Sequence, residues 1–243
     1  MVLISVTVDD VMSWKPCKEY TRERVTALFA GRETITALDV LDMDIPARDR
    51  LQVVLREGML PATTLHVFIC RAAETLLLQE RAAGREPDPR SWEAIAAKRA
   101  WLRGELSDEK LEAAYDAAGW VQPQYLGHEW NLAHKAAWAA VWAADCPSPE
   151  RVKSPSARLS LAASEVARCA ASYFARLAHE DAREKAKEMS RGVHAVSPDS
   201  RWAIFDSSDL AEAQAAWVEK ATHQIAARAG DEAVCKILKE AMK

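Results

Sequence analysis

The chain has 243 residues, 49% of them apolar and 28% charged, with a net charge of −4, a balance ordinary for a globular protein long enough to bury a core. The acidic excess argues against a nucleic-acid surface, which needs a basic patch; Lys15 with Lys18, or Arg48 with Arg50, read as solvated charge. No apolar stretch approaches the roughly 18 residues that cross a bilayer, and MVLISVTVDD has no basic region of a signal peptide, so a cytoplasmic protein with no membrane association is expected.

The first residues alternate Ile4, Val6 and Val8 with Ser5 and Thr7, a strand pattern without an evident partner. It reads as a short N-terminal extended arm or the lead-in to a helix capped by Asp9 or Asp10 and broken at Pro16. Thr21 predicts a helix through Val25, Leu28 and Phe29 that stops at Gly31. Thr34 predicts a cap for the next, with Ile35, Leu38 and Leu41 on one face, and Pro46 starts another through Leu51 and Val54. A long helix is expected from about Ala62 to Ala83, with an apolar stripe of Leu65, Phe68, Ile69, Ala72, Ala73 and Leu76.

Gly84 to Pro89 forms a hard stop, and Asp88-Pro89 opens a helix that ends at Gly104. Ser107 opens another, ending at Gly119. After a loop with Pro123 and Gly127, a helix runs from about Glu129 to Ala144. The runs Cys146-Pro147-Ser148-Pro149 and Lys153-Ser154-Pro155-Ser156 mark a linker. Beyond it one helix is expected over 157–190, ended by Gly192; a further helix to Ala229; then, separated by Gly230, a last one through Val234 and Leu238.

Alanine supplies roughly a fifth of the chain and is the strongest helix former. The expected fold is therefore all-α, an irregular multi-helix bundle or stacked helical array without a strict repeat. Three regions are expected: 1–145, a linker at 146–156, and 157–243 packed on the first.

The chemistry-bearing patterns are sparse. The five cysteines, at 17, 70, 146, 169 and 235, are widely spaced with no CxxC, which fits a reducing compartment. His128-Glu129 and His134 lack the i, i+4 histidines of a zinc helix; six residues place them about 240° apart. His66 and Cys70 share a face but show no third ligand, and Asp39, Asp42 and Asp44 lack the glycine and distal Glu of a calcium loop. No catalytic set, cofactor or metal is expected.

The most distinctive feature is aromatic. Trp130, His134, Trp138 and Trp142 recur every fourth residue, a ridge on one helix in an alanine background. Such a ridge is either core packing, with large knobs against small neighbours, or a ligand- or partner-binding surface that Trp120 and Tyr125 would extend.

Three segments carry a resemblance. They are Ile45 to Leu51 (IPARDRL), Leu65 to Leu76 (LHVFICRAAETL) and Pro89 to Ala118 (PRSWEAIAAKRAWLRGELSDEKLEAAYDAA). Together they resemble the immunity-protein family of alanine-rich helical proteins from bacteria and phages, with Cys70 and Arg103-Gly104-Glu105 at matching places. The second half matches by composition, and its Trp-punctuated, Pro-interrupted segment departs from the pattern. The resemblance implies a non-catalytic protein that neutralises a protein partner by occlusion: a bacterial toxin, or a host defence component if the source is a phage. Two alternatives stay open. One is sequestration of a small nucleotide-like ligand through Trp, His and Arg or Lys. The other is an enzyme whose site gathers distant residues such as His66, His128, His179 or Glu180. A homo-oligomer is compatible with alanine-faced helices.

Overall fold

The computed structural model describes residues 4–120, 132–145, 155–194 and 207–243. Among them the chain is all-α apart from one two-stranded sheet. The N-terminal arm is paired: β1 (Ser5–Val6) lies antiparallel to β2 (Ile35–Thr36), with Ser5 opposite Thr36 and Val6 opposite Ile35. The expectation that the strand lacked a partner, and that Ile35 sat on a helix face capped by Thr34, is corrected. The sequence conceals β2 because two residues are too short to show alternation.

Each strand runs into the same device. Thr7 caps α1 (Val8–Ser13) in a box in which the Thr7 amide donates to Asp10 at 2.8 Å and the Asp10 amide donates to Thr7 Oγ1 at 3.2 Å. Thr36 and Asp39 repeat it at α3 (Ala37–Leu41), at 2.8 and 3.3 Å. The cap of α1 is therefore Thr7, and Asp10 is the returning acid of its capping box. Between them, α2 (Arg22–Phe29) starts at the Thr21 cap and ends through Ala30 and Gly31, both at positive φ. Proline precedes α4 (Ala47–Val54) and α5 (Ala62–Ala82).

Helix α5 is the central pillar. It buries the stripe read from the sequence, Leu65, Phe68, Ile69, Ala72, Ala73 and Leu76, against α6 (Pro89–Leu102), α8 (Leu132–Ala144), α9 (Pro155–Leu177) and α11 (Ser207–Ala241). Asp88 caps α6, accepting the Arg90 amide proton at 2.9 Å. Helix α7 (Asp108–Gly119) packs on α6 and α8 around a smaller apolar cluster of Ala94, Leu111, Ala118, Val141 and Ala144. The main apolar cluster joins residues from Val6 to Met242, so both sides of the Pro/Ser segment share one core.

Several boundaries differ from the sequence reading: α9 starts at Pro155, inside the expected linker, because proline is well tolerated in a first helical turn, and α10 runs through Gly192 to His194 instead of ending there. The helix expected over 157–190 is two, α9 and α10 (His179–His194), interrupted at Ala178 and diverging, since α10 packs mainly on α11. Neither Pro nor Gly marks that break. Conversely, Gly230 does not separate two helices; α11 runs through it. A Cβ at Gly230 would fall well inside van der Waals contact of the Ala171 carbonyl oxygen on α9. This glycine therefore permits a close crossing of two helices, and its neighbours on either side keep the helix intact.

The C-terminal half of α11 is tied to the earliest elements. Arg50, buried on α4, donates to the Leu41 carbonyl at 2.7 Å and pairs with Glu232. Lys239 reaches Asp42 at 2.6 Å, and Arg71 donates to the Glu240 carbonyl. Arg50 is thus an internal strut, not surface charge as expected, while Asp39 and Asp42 serve caps and ion pairs.

Candidate functional site

The densest polar constellation lies inside, where α5, α6, α8 and α9 meet. On α6, Ser91, Ala94, Ile95 and Lys98 form one buried face, so the helix that packs its apolar residues on α5 necessarily carries Lys98 inward. Lys98 is 1% exposed. Its ammonium donates to the Asp145 carbonyl at 2.8 Å and sits 4.3 Å from the centre of the Trp101 ring. The cation–π contact offsets part of the cost of burying the charge.

Asp145 ends the α8 segment and is itself buried. Arg158 on α9 clamps its carboxylate with two bonds of 2.7 Å each. That bidentate geometry is the strong form of the interaction, and it raises the guanidinium pKa above its ordinary value. His66, on α5, meets Trp101 edge-on at 5.6 Å. Burial, with a smaller contribution from Lys98, pushes the His66 pKa down to about 4, so its imidazole is neutral near pH 7. Trp142, Leu159 and Ala162 close the remaining walls.

The space these side chains enclose is about that of one water molecule. Arg158 and Asp145 neutralise each other, Lys98 is held by a backbone carbonyl and an indole face, and the enclosed space is too small to seat a substrate. It is a polar staple that fixes four helices. Sequence reasoning named His66 but missed Lys98, Asp145 and Arg158. For Lys98 a signal was available: it continues the 91, 94, 95 face at helical spacing.

The residues singled out as a binding ridge are only partly brought together. His134, Trp138 and Trp142 line up on α8, with Trp138 and Trp142 in edge-to-face contact at 6.0 Å. All three are half-buried, with Trp138 and Trp142 packed against the core, while Ala136, Ala137, Ala139, Ala140, Ala143 and Ala144 fill the buried side. Burial and Lys135 lower the His134 pKa. Trp120, at the end of α7, stands 74% exposed, apart from the core. Tyr125 and Trp130, like His128 and Glu129, lie outside the described residues.

The pairing of His66 with Cys70 makes no reactive centre. Cys70 is buried, which pushes its thiol up to about 11, and a protonated thiol is a poor nucleophile and ligand. Among the described residues no three His, Cys, Asp or Glu side chains converge on one point, and no helix is long and apolar enough to cross a membrane. No family model, no curated protein and no solved structure matches the chain.

Proposed function

We propose that the protein acts by binding and occluding a protein partner, a toxin or, in a phage, a host defence component, without chemistry of its own. The carrying observation is Trp120. An indole 74% exposed at a helix end is costly to leave in water, and Trp is among the residues most enriched at the energetic centres of protein interfaces. The closed polar cluster supports the same reading, because Lys98, Arg158 and the Asp145 carboxylate are all engaged internally. The likeness of the 45–51, 65–76 and 89–118 segments to immunity proteins points to the same class of partner.

The test is co-expression with toxins encoded beside its gene, scored by growth rescue and by co-elution of the purified pair. Wild-type protein rescues and co-elutes; Trp120→Ala loses both while staying folded. Failure of the wild-type protein to protect against any of them overturns the reading.

A second reading, capture of a nucleotide-like ligand, draws on His134. Its Nδ1 is buried without a hydrogen-bond partner one turn from Trp138. A nucleotide that binds there raises the melting temperature, and the rise disappears in His134→Ala. A flat response across a nucleotide panel removes this reading.

A further inference from the structure

Helices α10 and α11 approach closely because their facing positions are small: Ala182 and Ala186 on α10, Ala221 and Thr222 on α11 are all buried. At the start of α10 this brings His179 over His223 of α11, with ring centres 5.5 Å apart and planes inclined by 60°. One helical turn before His223, Glu219 places a carboxylate oxygen 4.0 Å from His223 Nε2. His223 and Glu219 have side-chain exposures of 58% and 77%, so both can turn without disturbing the core.

The geometry points to a divalent-cation site formed by His179, His223 and Glu219, completed by water. Two imidazoles on a tetrahedral zinc ion, each nitrogen about 2.0–2.1 Å from the metal, have ring centres about 5 Å apart. The observed pair, at 5.5 Å, closes by a few tenths of an ångström to reach it. A carboxylate and an imidazole sharing the ion require an N–O separation of about 3.4 Å. Glu219 therefore closes by about half an ångström, a small rotation for an exposed side chain. The three ligands do not yet meet at a point; the ion draws in the third. Two imidazoles and one carboxylate select Zn²⁺, Cu²⁺ or Ni²⁺ over Mg²⁺ and Ca²⁺, which prefer oxygen-only shells. The sequence conceals the set because His179 and His223 are far apart in the chain. Occupancy would join the first turn of α10 to α11 with coordinate bonds across a junction otherwise made of small side chains.

The experiment titrates the full-length protein with ZnCl₂, using MgCl₂ as the control. It reads the melting temperature and the imidazole signals in a long-range ¹H–¹⁵N spectrum. At about tenfold excess over the dissociation constant, a rise of roughly 3–6 °C is expected, with the ring nitrogens of His179 and His223 shifted and the other histidines unmoved. His223→Ala and His179→Ala each lose the rise, and Glu219→Gln weakens it. The proposal is overturned if Zn²⁺ leaves both readouts unchanged. It is equally overturned if the rise persists in both histidine variants, which would place the ion elsewhere, for example at the exposed thiol of Cys17.

Discussion

Tyr173 on α9 donates its hydroxyl proton to Glu80 on α5 at 2.8 Å, joining residues 93 positions apart. Glu80 is 1% exposed and is clamped from the other side by Arg85 through two bonds of 2.8 Å. A carboxylate that deep is tolerable only because its lone pairs are filled. Tyr173→Phe removes one donor and nothing else, so it is expected to destabilise by about 1.5–3 kcal/mol. Urea denaturation checks it, with an unchanged m-value showing that the folded state keeps its extent. The burial and the Glu80 charge raise the Tyr173 pKa. The folded state thus holds that proton more tightly, and its contribution is complete below pH 10 and lost as pH rises beyond it.

Acid should weaken the protein before its carboxylates titrate. The folded His66 pKa of about 4 lies below the ordinary 6.5, so the unfolded chain takes up a proton that the folded chain refuses. The stabilisation is complete above pH 6.5 and is lost as pH falls toward 4, amounting to on the order of 3 kcal/mol. His66→Phe keeps the ring beside Trp101 and cannot be protonated. Its stability should therefore be flatter than wild type between pH 6.5 and 5; parallel curves for the two proteins would disprove the assignment.

Gly230 separates two opposing rules. On propensity alone, Gly→Ala within a helix gains up to about 1 kcal/mol. Here the added methyl meets the Ala171 carbonyl, and forced overpacking costs about 1–3 kcal/mol. Thermal unfolding of Gly230→Ala should show a lower melting temperature. A higher one would mean that α9 and α11 do not cross so closely.

Asp145→Ala deprives Arg158 of both bonds. With side-chain exposures of 4% for Asp145 and 33% for Arg158, the pair is shielded on one side only, so a loss of about 2–3 kcal/mol is expected, less than for a fully buried pair. Double-mutant analysis with Arg158→Ala should recover most of that as a coupling energy.

Trp120→Ala, by contrast, should move stability by less than about 0.5 kcal/mol, since the side chain projects from the surface. A large loss would mean that the indole packs within the fold and is not free to meet a partner.

The all-α character was legible because its signals are local: alanine content, threonine and aspartate caps, prolines at helix starts, and the α5 stripe. What escaped is non-local. β2 is two residues long and borrows its identity from β1. Gly230 carries the sequence signature of a terminator, and only the approach of α9 gives it another role. The interruption at Ala178 has no residue that announces it. The spacing of Trp138 and Trp142 implies a shared ridge on one helix, but it cannot say how deeply the alanines beside them sink it. Lys98 and Asp145, 47 positions apart, acquire meaning only when α6 and α8 are placed side by side.

The struts from α11 to Asp42 and Arg50 carry a consequence for biosynthesis. Helices α3 and α4 leave the ribosome long before Glu232 and Lys239 exist to brace them. During translation Arg50 must wait without its carboxylate, and the apolar surface that α11 will cover stays open to chaperones. Slowing the ribosome within the codons for α11 should therefore lengthen the interval in which the nascent protein is vulnerable to proteases, whereas slowing it earlier should matter little.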